Sequence, residues 1–79
     1  MKVIVKIKRS PEQLFLVDLM DKSLIDEVKK LITKNKHSKA IVTALSKGRF
    51  ERELSHDDMH VTDADLILSE HNASWSLMR

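Results

Sequence analysis

The chain has 79 residues, 42% of them apolar, no cysteine and a net charge of +2. That length supports one small domain, residues 1–79, whose single core buries about 60–65% of the unfolded surface, and the apolar content excludes a disordered chain. The lack of cysteine excludes a disulfide framework, a thiolate zinc site and a cysteine nucleophile.

The opening MKVIVKIKRS is threaded with lysines, unlike a signal peptide. No apolar run approaches the roughly 18 residues of a membrane span. A soluble cytoplasmic protein is therefore expected. Its charge is unevenly spread. Residues 1–49 hold twelve Lys and Arg against five acids, hence +7, and residues 50–79 hold two against seven, hence −5. Such polarity suits an anionic partner or head-to-tail self-association, unless the two halves interleave in space.

In chain order, residues 2–8 alternate, with Val3, Val5 and Ile7 facing inward and Lys2, Lys6 and Lys8 outward. That pattern predicts a half-buried strand, with Ile4 as the exception on the cationic face. Arg9-Ser10-Pro11-Glu12 predicts a turn, since proline fixes φ and cannot donate to a ladder. The run from Leu14 to Met20 predicts a second strand pairing back on the first. It is apolar on both faces, so it needs a cover on both, one of which a second protomer could supply.

Ser23 to Asn35 predicts the main helix. Leu24, Ile25, Val28, Leu31 and Ile32 form one stripe, while Asp26, Lys30, Thr33 and Lys34 point away. Ser23 is the expected N-cap, with Asp26 three residues on, and Asn35 is the expected left-handed residue past the C-terminus.

Residues 38–48 read two ways. Ser46-Lys47-Gly48 can be a hairpin turn with glycine at the left-handed position, or Ser38 can cap a short helix that Gly48 ends. β-branched Ile41, Val42 and Thr43 favour the hairpin. Its second strand would place Phe50, Arg52 and Leu54 on one face and Glu51 and Glu53 on the other. Ser55 to Asp65 is the most polar tract. Thr62 and Asp65 then predict a short helix from Asp63 to His71, with a strand through Leu66 and Leu68 as the rival. Ala73, Trp75 and Leu77 alternate as a closing strand. The resulting fold is α+β, an antiparallel sheet on one main amphipathic helix, in the approximate order ββαββαβ.

Chemistry-bearing constellations are few. His56, Asp58 and His60 have the residue types of a zinc site, but no accompanying metal motif, so they read as a solvated acidic loop and no cofactor is expected. Lys29, Lys30, Lys34, Lys36, Lys39 and Arg49 gather cations at a helix end and the loop beyond it. That is what phosphate contacts require, although Phe15 and Phe50 are expected in the core and offer no stacking platform. Trp75 is expected as a core plug or, alternatively, an exposed anchor. One glycine cannot build a phosphate-cradling loop, and no nucleophile elbow is present. The expectation is a non-enzymatic binding, adaptor or inhibitor-type accessory protein that acts on a protein partner and forms a homodimer. Nucleic-acid binding through the lysine-rich helix end is the alternative. Neither a membrane nor a small-molecule substrate is indicated.

Overall fold

The computed structural model describes residues 1–8, 11–55 and 64–75, with Ser74 and Trp75 as backbone alone. Strands β1 (Lys2–Ile7) and β2 (Gln13–Asp18) form the antiparallel N-terminal hairpin, pairing Val3 with Val17 and Val5 with Phe15. Helices α1 (Lys22–Thr33) and α2 (His37–Lys47) follow, then β3 (Arg49–Leu54), β4 (Leu66–Ser69) and β5 (Ala73–Trp75). The fold is α+β. Its five strands form one sheet in the order β3-β2-β1-β4-β5. The sheet is mixed rather than wholly antiparallel, because β4 runs parallel to β1, with Val3 opposite Leu66 and Val5 opposite Leu68.

Period-two alternation divides the core between the two sheet faces. Val3, Val5, Val17, Leu66 and Leu68 point toward the helices and pack with Leu24 and Val28 of α1 and Ala40, Ile41 and Ala44 of α2. Ile4, Leu14, Leu16 and Leu54 form a second cluster on the opposite face, with Ile67 and Ala64 against it. Both faces of β2 are thus buried within one chain, so no second protomer is needed to cover it. Ile4 is buried for the same reason. Its lysine neighbours Lys2 and Lys6 reach acids instead, Glu51 at 3.1 Å and Glu12 at 3.8 Å.

Helix α1 follows its stripe: Leu24 and Val28 are buried, Ile25, Leu31 and Ile32 pack partly buried against the core, and Asp26, Lys30, Thr33 and Lys34 are exposed. Its start differs from expectation. Asp21 holds the N-cap position in extended geometry without a side-chain cap bond, and Ser23 is the second residue of the helix. Its end is as expected. Asn35 has φ 59°, and the amides of Asn35 and Lys36 return to the carbonyls of Ile32 and Leu31 at 3.0 and 2.8 Å. That paired closure is a Schellman motif, and it meets carbonyls the helix end would otherwise leave open.

Three segments depart from the sequence reading. Residues 37–47 form a helix, the alternative to the favoured hairpin strand. Ala40, Ile41 and Ala44 recur at i, i+1 and i+4, and burying that stripe outweighs the strand preference of Ile41-Val42-Thr43. The expected helix over 63–71 is replaced, within the described residues, by β4 and the turn after it. Leu66 and Leu68 are both buried toward the helices while Ile67 faces the second cluster, which is the alternation of a strand. The third departure is in β3. A register shift opposite Leu16 and Val17 pairs Arg52 with Leu16 but Phe50 with Val17. Phe50 therefore sides with the helix face and Leu54 with the opposite cluster, although simple alternation would put them together. Phe50 is also 54% exposed rather than buried, packing edge-to-face on Phe15 with centroids 6.0 Å apart.

β5 forms as the expected closing strand, its backbone pairing Leu66 with Trp75 and Leu68 with Ala73. The expectations for the Trp75 side chain and for residues 76–77 lie outside the described residues, as does the Arg9-Ser10 half of the first turn. Among the described residues, no helix is long and apolar enough to cross a membrane.

Candidate functional site

The three-residue connection Lys34-Asn35-Lys36 brings α2 back beside α1. So short a link is possible because Asn35 accepts the left-handed conformation, which other side chains adopt only at a cost. It leaves Lys34 at the C-cap of α1 and Lys36 at the N-cap of α2. Lys30 lies one turn before Lys34 and Lys39 one turn after Lys36. Four of the expected cations, Lys30, Lys34, Lys36 and Lys39, thus gather at one end of the helical layer, all exposed. Lys29 is exposed on the same half of α1. Arg49 does not join them. It opens β3 opposite Asp18, beyond the far end of α2, roughly 15 Å along the helix axis from Lys39.

Local backbone charge reinforces this end unequally. The N-terminus of α2 has no side-chain cap and no acid in its first turn, so its partial positive charge adds to Lys36 and Lys39. A shallow hollow of about 360 Å³ lies there between Lys36, His37 and Lys39 on one side and Glu70 and His71 on the other. Glu70 places a carboxylate in it, which offsets part of the cationic field.

The lysines border a second feature that sequence reasoning missed. The outer surfaces of α1 and α2 enclose an open groove of about 480 Å³, lined by Glu27 and Leu31 from α1 and by Ser38, Lys39, Val42 and Thr43 from α2. Val42 is 64% exposed, and Leu45, one turn further along α2, is also exposed. The stripe formed by Ala40, Ile41 and Ala44 is committed to the core, and that orientation turns Val42 outward. The signal lay in Val42 itself, an apolar residue left over once the other three define the buried face of a helix. At the groove's far end Glu27 meets Lys47 at 3.4 Å, an exposed cross-helix pair worth about 0–1 kcal/mol.

Residues His56, Asp58 and His60 lie outside the described residues. Among the described residues, no group of three or more His, Cys, Asp or Glu side chains is arranged to hold a metal ion. No family model matches the chain, and no curated protein or solved structure matches it either.

Proposed function

We propose that this chain is a small non-enzymatic binding module that acts by engaging a protein partner through the outer surface of its α1–α2 layer. The observation that carries the reading is the groove with Val42 exposed beside it. Exposed apolar surface next to a concave trough is what a partner's side chains fill, whereas isolated surface hydrophobics need no such explanation. The trough is open rather than enclosed, unlike the cavities that surround and orient a small molecule.

The test is affinity capture from a lysate of the source organism, using the wild-type chain and a Val42→Glu variant after nuclease treatment. The reading expects one protein held by the wild type and lost from the variant. Equal recovery by both baits, or none, counts against it. Sedimentation equilibrium of the purified chain tests for self-association independently.

A second reading has its own observation. The clustering of Lys30, Lys34, Lys36 and Lys39 supports nucleic-acid binding through phosphate contacts. A gel shift at low ionic strength that weakens steeply with added salt is its expected signature; no shift would remove it.

A further inference from the structure

We infer that the occupant of the α1–α2 groove is an acidic amphipathic helix of a partner protein. The inference rests on the binding-module reading and specifies the chemistry of its partner. Three features converge on it.

The first is shape. Glu27 and Leu31 stand one turn apart on α1, as do Lys39 and Thr43 on α2. Two helices side by side present a trough between their ridges that accepts a third helix, with apolar side chains one turn apart reaching Leu31 and Val42. An extended peptide would pair instead with a sheet edge. The edge available at β3 carries a bulge and the charges Arg49, Glu51, Arg52 and Glu53, both of which discourage added strands.

The second feature is charge. Residues 22–47 carry seven lysines against only Asp26 and Glu27, hence +5. Glu27 is already engaged by Lys47. Among the described residues, Lys34, Lys36 and Lys39 form no ion pair with an acid, so their field at the groove's end selects carboxylates on the incoming helix.

The third feature discriminates between occupants. A second copy seated symmetrically on this face would set one lysine-bordered patch against another, since a two-fold interface pairs a patch with itself. Nucleic acid would find an apolar floor of Leu31 and Val42 and no aromatic side chain for a base. An acidic helix with an apolar stripe meets both the Leu31–Val42 floor and Lys39.

The experiment is selection of a displayed library of random peptides of about 15 residues, roughly four helical turns. The intact chain is the target and its Val42→Glu variant the counter-target. Val42 is largely exposed, so the variant should fold, and circular dichroism checks that it does. Enriched peptides are expected to be net acidic, with apolar residues at helical spacing. They should bind Val42→Glu and Lys39→Glu at least about ten-fold more weakly than the wild type, a loss of about 1.4 kcal/mol. Enrichment of basic peptides, or no enrichment over the counter-target, overturns the inference. Peptides from a parallel selection without the counter-target that prove indifferent to Val42→Glu but are lost with Phe50→Glu also overturn it, while leaving the binding-module reading intact. A DNA duplex that displaces the peptides and whose own binding ignores Val42→Glu overturns both in favour of nucleic acid.

Discussion

Gly48 lies against Val17: a Cβ placed on the glycine would stand 2.6 Å from Val17 Cγ1 and would also collide with the carbonyl oxygen of Ala44. The glycine is required for space, not for backbone freedom. Its φ of −77° and ψ of 167° are extended values that any residue adopts. Here α2 ends and the chain turns to begin β3, hard against the C-terminal end of β2. Gly48→Ala is therefore expected to destabilise the domain by about 1–3 kcal/mol through overpacking. In a thermal melt each kcal/mol lowers the midpoint by about 4–8 °C for a domain this size. A midpoint unchanged or raised would show that the contact yields freely.

Val28 gives the largest expected effect. It is fully buried in the middle of the α1 stripe, among apolar neighbours from the sheet and α2. Val28→Asp strands a carboxylate without a partner, a cost of about 3–5 kcal/mol where a buried charge is uncompensated. A chain of 79 residues has a total stability of about 4–12 kcal/mol. The variant should be unfolded or nearly so by circular dichroism, and a melt matching the parent would contradict the packing of α1.

Asn35 tests the helix connection. With φ at 59° it occupies the left-handed region, where a Cβ-bearing residue without a short polar side chain costs about 1–2 kcal/mol. Asn35→Ala should lower stability by about 1 kcal/mol, while Asn35→Gly should stay within about half a kcal/mol of the parent. Equal melting of the alanine and glycine variants would mean that the turn relaxes out of this conformation.

The lysine-rich end separates binding from folding. Lys30, Lys34 and Lys36 are exposed. Changing all three to glutamate should leave the fold intact and weaken an acidic partner by well over ten-fold, with the defect shrinking as salt is added. An unfolded product would show that these side chains support the structure rather than face a partner.

These same residues show how much of the molecule was legible in the sequence. Helix α1 was readable because its five apolar positions fit one face and no other period. The N-terminal hairpin was readable from the alternation around Val3 and Val5. Helix α2 was obscured by Ile41-Val42-Thr43, whose strand preference is local, whereas the stripe of Ala40, Ile41 and Ala44 acquires meaning only against the sheet that it covers. Strand β4 was obscured by acids before Leu66 that resemble a helix start. Its parallel pairing with β1 joins residues more than sixty positions apart, which no local pattern reports. The bulge in β3 was invisible for a similar reason, being fixed by how β3 meets Leu16 and Val17. At the candidate site, four of the lysines were close in sequence and remained close in space. Arg49 was separated from them once residues 37–47 became a rigid rod, and that same rod exposed Val42.

The groove between α1 and α2 is the proposed seat of the partner. Amide resonances recorded while a selected acidic peptide is titrated into the labelled chain report where the peptide binds. The perturbed amides should cluster at Leu31, Lys39, Val42 and Thr43, around the trough. Perturbations confined to β3, at Glu51 to Glu53, would contradict it.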